Sequence, residues 1–200
     1  MNLMIAVLLS LFLFQVNNPP AVKINAPVSG SLNSTIRYTI NVSDKEDGDT
    51  KYDEIDPNQI LLTVSSGKNT SKDDRLILHA MMTSNCMNCH WFNAKLIGPS
   101  FSDISKRYAS SSNIADIIIH VKEGSKGIWG DNVMPTHPEL SVEETGKMVK
   151  WILAFNDKKN VQYYLGKEGS IRLQKPIVLT ASYLDHHNVM GEDKMTIEVK

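Results

Sequence analysis

Residues 86–90 read Cys-Met-Asn-Cys-His and contain both cysteines of the 200-residue chain. Two thiols at this spacing can each form a thioether bond with a vinyl group of haem, and the histidine that follows is then placed beneath the iron. The competing interpretation, a redox-active dithiol or a disulfide, is typical of a strand-helix-strand setting. We therefore predict one covalently attached haem c with its iron, held by Cys86 and Cys89, with His90 as an iron ligand.

Helical periodicity surrounds the motif on both sides. Before it, one helix face is predicted from Leu76, His79, Ala80 and Thr83. After it, Ser100 is an N-cap for FSDISKRY, a further helix is predicted through NIADIIIHV, and Ser141 with Glu144 forms a capping box for VEETGKMVKWILAF. This last helix is expected to bury Met148, Ile152 and Phe155. The motif thus lies in an all-α segment, predicted to span residues 72–160.

Outside this segment the apolar residues alternate with polar ones, which is typical of half-buried β-strands. The alternating runs are 22–24, 36–42, 177–183 and 195–199, and ILLTV at 60–64 adds another short strand. A lone hairpin is only marginally stable in water, so we expect the last strands to pair with the first three. The predicted fold class is α+β multidomain, with the helical domain inserted in a small antiparallel β-sandwich formed by residues 19–68 and 170–200. The alternative is that the two modules lie in tandem.

The chain begins with an apolar run, LMIAVLLSLFLF at residues 3–14. Its dozen residues are fewer than the ~20 that a membrane-spanning helix needs. Asn17, Asn18, Pro19 and Pro20 follow as a linker. We predict that residues 1–18 are a signal peptide or an N-terminal anchor. The protein is then exported to the periplasm or cell surface, with a membrane tether through the N-terminus if the leader is retained.

A sixth iron ligand decides whether the metal shuttles electrons or binds a substrate. We predict Met134, because Pro135 holds it in an extended loop from which its sulfur can reach the iron. His137 is the main rival, and an open or water-bound position is the third alternative. His79 and His120 are assigned to helices. The other methionines considered are assigned to the helices, the motif itself or the strands: Met81, Met82, Met87, Met148, Met190 and Met195.

Composition excludes several classes of function. With 21 basic and 22 acidic residues, the chain lacks the positive charge that nucleic-acid binding requires. Nucleotide-binding and hydrolase motifs such as GxGxxG, GxSxG and HExxH do not occur in the sequence, and no catalytic residue is predicted. The acidic loop at 44–56 does not match an EF-hand, because Ser43 and Lys45 occupy ligand positions, so a solvated turn is predicted.

Four motifs in this order resemble a small bacterial class I cytochrome c: CMNCH, LIGPSF at 96–101, GIWGDNVMPTHPELS at 127–141 and MVKWILAF. The resemblance covers about residues 72–158. It implies that the carbonyl of Pro99 accepts a hydrogen bond from the proximal histidine. It also implies that Trp129 lies against the haem edge near a propionate.

The flanks, VSDKEDGD and IVLTASYLDH, resemble Ig-like, PKD-like segments that accompany cytochrome c modules in exported pyrroloquinoline-quinone (PQQ) sugar dehydrogenases. The implied function is transfer of single electrons between periplasmic or membrane redox proteins, with a PQQ-dependent dehydrogenase or a terminal oxidase among the candidate partners. Two alternatives remain at this point. One is a haem enzyme or gas sensor with a displaceable methionine, and the other is a glycan- or protein-binding β module with an accessory haem.

Overall fold

The computed structural model describes residues 17–67, 70–108, 114–158 and 160–200. Residues 1–16 of the predicted leader are therefore outside the described residues. The described part contains nine strands and four α-helices. The strands are β1 (Ala21–Asn25), β2 (Ser29–Gly30), β3 (Thr35–Asp44), β4 (Gly48–Asp49), β5 (Leu61–Ser65), β6 (Val161–Leu165), β7 (Glu168–Arg172), β8 (Ile177–Leu184) and β9 (Met190–Val199). The helices are α1 (Lys72–Thr83), α2 (Phe101–Tyr108), α3 (Ile114–Glu123) and α4 (Val142–Leu153).

Strands from both ends of the chain share the same two sheets. One sheet has the order β2-β9-β8-β5-β6, and in the other β3 pairs with β1, β4 and β7. At Thr63 in the middle of β5, the antiparallel neighbours are Tyr163 of β6 and Thr180 of β8. In the second sheet, Ile36 of β3 lies opposite Ile171 of β7. All four helices lie between β5 and β6 in the sequence.

The two sheets enclose one apolar core. Alternate residues of β3 are buried, as their alternation in the sequence predicts, and Ile40 is among them. They pack with Leu62 of β5, Leu179 of β8 and Ile197 of β9, which are inaccessible to solvent. The sheets therefore form a two-layer sandwich held by side chains from before and after the helices.

Strand β8 differs from its predicted half-exposed pattern, because α1 covers its outer face. Ser182 on that face is buried, and its hydroxyl shares a 2.9 Å hydrogen bond with Nε2 of His79. Arg75, only 5% exposed, donates from Nη2 to Glu192 Oε2 of β9 at 2.5 Å. The predicted face of α1 is corrected accordingly, since Thr83 is exposed and the buried residues are Arg75, Leu78, His79, Met81 and Met82.

Strands β6 and β7 were not predicted, and the sheets resume at Val161 rather than at residue 170. The sequence of β6, VQYYL, has adjacent large apolar residues, and β7, EGSIR, has one large apolar residue. Neither shows the alternation that identifies an isolated strand. Their structure depends on pairing with β5 and β3.

A second cluster of buried side chains joins the helices to the sandwich. Phe92, Trp151 and Phe155 from the helical segment pack around Tyr163 of β6. The ring centroid of Tyr163 lies 5.1 Å from that of Phe92 and 5.5 Å from that of Trp151. Leu61 of β5 belongs to the same cluster, which we call the junction cluster. Trp151 was missed from the sequence, where Ile152 was chosen for the buried face.

Several acidic residues of the loop at 44–56 cap turns within the loop itself. Asp44 Oδ1 accepts hydrogen bonds from the backbone N–H groups of Glu46 and Asp47. Asp49 and Asp56 cap short 3-10 turns through their side chains. Across the described ranges, no cluster of three or more acidic, histidine or cysteine side chains is arranged to hold a metal ion. In those same ranges, no helix has the length and apolar character needed to cross a bilayer.

The buried His79 predicts a pH-dependent stability. Burial, aided by the positive charge of Arg75, lowers the pKa of His79 from 6.5 to about 4. Between these pKa values the unfolded chain binds a proton at His79 and the folded chain does not. The free energy of unfolding is therefore at its full value above about pH 6.5 and decreases as the pH falls to about 4. The loss across this window is about 3 kcal/mol. Urea unfolding at pH 7.5 and 4.5 should show a smaller loss for His79→Gln, and an equal loss in both proteins would contradict the assignment.

Candidate haem-binding site

The motif lies on one tight turn that follows α1. Asn85 adopts a left-handed conformation with φ of 60°, which ends the helix and which asparagine tolerates better than most residues. Cys86–Asn88 then form a short 3-10 turn, and the N–H of His90 donates to the carbonyl of Cys86 at 2.9 Å. The two thiols and the imidazole are thus held within one compact segment.

The two thiols are half-buried. Both cysteines are free, and burial raises the pKa of Cys86 to about 11. A redox-active dithiol requires a lowered thiol pKa in an electropositive environment. The environment of Cys86 therefore disfavours the dithiol alternative considered from the sequence.

Three neighbours fix the imidazole of His90. Its Nδ1 lies 2.7 Å from the carbonyl oxygen of Pro99. A carbonyl oxygen only accepts, so Nδ1 carries the proton. Burial lowers the pKa of His90, which favours the neutral ring with its lone pair on Nε2. Phe101 stacks on the ring at 5.9 Å with an interplanar angle of 14°. Gly98 packs so closely that an added Cβ would lie 2.6 Å from Cε1 of His90.

Gly98→Ala is expected to destabilise the protein by about 1–3 kcal/mol, because the new methyl group overpacks a ring that Phe101 and Pro99 hold in place. The displaced ring should also lose the Nδ1–H bond to Pro99, which NMR of that proton would detect. Gly146→Ala in α4 is the matched control, since its Cβ would meet its nearest neighbour, Ile118, at 3.7 Å. This control should be neutral or slightly stabilising, and equal unfolding midpoints for the two variants would contradict the expectation.

All six residues predicted for the site line one cavity of about 280 Å³: Cys86, Cys89, His90, Pro99, Trp129 and Met134. The rest of the wall is largely apolar and includes Ile104, Ile117, Val121, Met148 and Ile152. A flat apolar macrocycle with a central metal needs such a wall together with thiol, imidazole and thioether donors. The residues present fit haem c. His137 and His120 also line the cavity, whereas the lining does not include His79.

Met134 is held in the cavity wall by a loop with two anchors. Its backbone exchanges hydrogen bonds with Ser125, of 2.9 Å and 3.2 Å. Gly124 permits this pairing, because its φ is +78° and an added Cβ would lie 2.7 Å from the carbonyl oxygen of Met134. Asn132 Nδ2 donates to the carbonyl of Ile97 at 2.7 Å, which ties this loop to the segment that carries Pro99.

Trp129 lies half-buried on the same loop. The guanidinium of Arg107 stands 4.5 Å from its ring centroid, and Nη1 donates to the carbonyl of Ile128 at 2.8 Å. Arg107 at the end of α2 therefore holds the loop through both a ring and a carbonyl. No sequence pattern indicates Arg107 or Asn132, because their roles depend on contacts between distant segments. For Gly98, its place directly before Pro99 is a signal that could have been used.

Comparisons with known proteins identify the family. A family model described as cytochrome c matches residues 79–156. Cytochrome c-551 of Azotobacter vinelandii is 38% identical over 72 residues, which are 36% of this chain and 87% of that protein. Cytochrome c-552 of Hydrogenobacter thermophilus is 34% identical over 70 residues, 34% of this chain and 70% of that protein. On these matches, the chain belongs to the cytochrome c family. The crystal structure of Nitrosomonas europaea cytochrome c552 aligns with 38% of this chain and 94% of its own, at 30% identity and a TM-score of 0.37.

Membership defines the cofactor and the general activity. The protein carries one covalently bound haem c with its iron, as predicted, and is a monohaem electron carrier rather than an enzyme. The alternative of a haem enzyme is therefore excluded. The family model matches residues 79–156 and therefore does not include the strands of the sandwich.

Proposed function

We propose that the protein is an exported cytochrome c that passes single electrons between redox proteins of the periplasm or cell surface. Cys86 and Cys89 would hold the haem covalently, and His90 and Met134 would be the ligands of its iron. The observation that carries the proposal is the convergence of both cysteines, His90 and Met134 on one apolar cavity, with Nδ1 of His90 committed to Pro99. When bound, haem supplies a one-electron iron couple.

The residues of the chain prepare the site for this role. Pro99, Gly98 and Phe101 hold the imidazole of His90 as a neutral ligand, and the anchored loop presents Met134. His90 and Met134 would hold the iron from the protein, which would leave no free position for a substrate, and a thioether ligand would raise the reduction potential. Arg107 keeps Trp129 at the cavity wall, where the indole would lie against a bound haem.

We further propose that the cytochrome domain, residues 72–160, is inserted in one Ig-like β-sandwich. Support comes from the ends of β5 and β6, where Ser65 lies opposite Val161 and the N–H of Ser66 donates to the carbonyl of Asn160 at 3.3 Å. The helical domain thus stands in place of a hairpin turn. The sandwich is a scaffold and a docking surface for the partner proteins.

The proposed partners are periplasmic or membrane redox proteins, with a PQQ-dependent dehydrogenase as a candidate donor and a terminal oxidase as a candidate acceptor. Their contact areas should be below about 1,200 Å², as in other short-lived redox encounters. A leader that stays attached would tether the protein to the membrane through its N-terminus.

Met134→Ala tests the axial assignment. The oxidised variant is expected to lose the weak sulfur-to-iron absorption band at the red end of the visible spectrum, and its reduction potential should fall because the thioether no longer favours the reduced iron. Met190→Ala on β9 is the matched control and should keep both properties. Persistence of the band in Met134→Ala would reject the assignment.

A further inference from the structure

A second imidazole lies in the cavity wall on the same loop as Met134. His137 lines the cavity, and its side chain is only 14% exposed. Its backbone N–H donates to the carbonyls of Val121 and Lys122 at the end of α3, at 3.2 Å and 3.3 Å. Its position is therefore set by the fold and is not that of a mobile surface residue.

The ring of His137 is prepared in the same way as that of His90. Its Nδ1 lies 2.9 Å from Oε1 of Glu139, and a carboxylate oxygen only accepts, so Nδ1 carries the proton. The lone pair of the neutral ring is then on Nε2, for which the described residues provide no hydrogen-bond partner. Histidine ligands of metals commonly give one ring N–H to a carboxylate or a carbonyl and coordinate through the other nitrogen.

His137 lies three residues beyond Met134 on the same loop. Both residues line the cavity that Cys86, Cys89 and His90 also line, so the imidazole and the thioether face the same space.

We propose that His137 is a second ligand for the sixth iron position and replaces Met134 there through Nε2 when the thioether is released. The inference depends on the proposed function, in which Met134 is the resting ligand. The exchange substitutes one neutral ligand for another and requires no electrons. A bis-imidazole iron has a lower reduction potential than a methionine-ligated one, so the same carrier would have two potentials.

The test compares Met134→Ala with the double variant Met134→Ala, His137→Leu. The spin state of each oxidised protein is measured by electron paramagnetic resonance and absorption, and the rate of carbon monoxide binding is measured on each reduced protein. We expect the oxidised single variant to remain low-spin and its reduced form to bind carbon monoxide slowly. The double variant should be high-spin and bind carbon monoxide at least tenfold faster. High-spin spectra in both variants would overturn the proposal.

A second measurement covers the case in which Met134→Ala does not retain haem. Wild-type protein and His137→Leu are taken through mild urea while the sulfur-to-iron band is followed. The wild type should lose the band and stay low-spin, whereas His137→Leu should become high-spin as the band disappears. The same spin state in both proteins would overturn the proposal, since it shows that His137 does not bind. A wild-type protein without the band before urea is added would instead refute Met134 as the resting ligand, and this inference with it.

Discussion

A chain that ends at residue 168 is expected to lose the β-structure that precedes the helices, as well as the strands it lacks. The truncation removes β7 from β3 and β8 from β5. It also removes Leu179, Tyr183 and Ile197 from the sandwich core. Each such side chain contributes about 1.5–3 kcal/mol through burial, and a domain is stable by only about 5–15 kcal/mol. Circular dichroism should therefore show almost no sheet.

The matched control is the full-length variant Lys175→Ala, in the exposed turn between β7 and β8, which keeps residues 1–18 and every described strand. Its sheet signal and unfolding midpoint should equal those of the unaltered chain. A truncated chain with the sheet content expected for an intact N-terminal half would contradict the insertion and favour tandem modules.

Replacing Cys86 and Cys89 together with alanine is expected to abolish covalent haem attachment and to destabilise the sandwich. Without haem, the apolar side chains that line the cavity lose their packing partner. The junction cluster, which contains Leu61 and Tyr163, is then packed less tightly from the helical side. If residues 66–160 become disordered, closing the β5–β6 hairpin across them costs about 3 kcal/mol more than closing a short turn. The sheet should therefore unfold at lower urea concentration.

Asn88→Ala is the control for this effect, because Asn88 is an exposed residue of the same turn. This variant should keep the haem, and its sheet should unfold at the same urea concentration as that of the wild type. If the double alanine variant has the same sheet stability as Asn88→Ala, then haem attachment and the sandwich are energetically independent and the proposed coupling is wrong.

Local signals in the sequence predicted the elements whose structure depends on neighbours along the chain. The capping box of Ser141 and Glu144 is confirmed, and so is the N-cap Ser100, whose hydroxyl accepts from the N–H of Asp103 at 3.0 Å. The alternation in β3 is confirmed as well. Strands β6 and β7 could not be predicted in this way, because partners distant in sequence stabilise them. The buried Arg75 donates to Thr70 and Ser71 nearby in the sequence, and also to Glu192, which follows the whole helical segment and could not be identified as a partner from local signals.

For the site, the residue types and the spacing of CMNCH predicted the cofactor, and the family comparisons confirm it. Pro99 and Trp129 were named only through resemblance, since spacing alone does not indicate which carbonyl will meet Nδ1 of His90. The contacts of Arg107 and the pairing of His137 with Glu139 require the folded loop. A sequence shows which donors are available, but the fold decides which of them line one cavity.

Mass spectrometry of a protease digest of the mature protein measures covalent haem attachment directly. We expect the peptide containing residues 86–90 to carry the added mass of one haem, and the same peptide from the variant with alanine at both cysteine positions to carry none. A bare wild-type peptide, with haem extracted from the protein by acidified solvent, would contradict covalent attachment at Cys86 and Cys89.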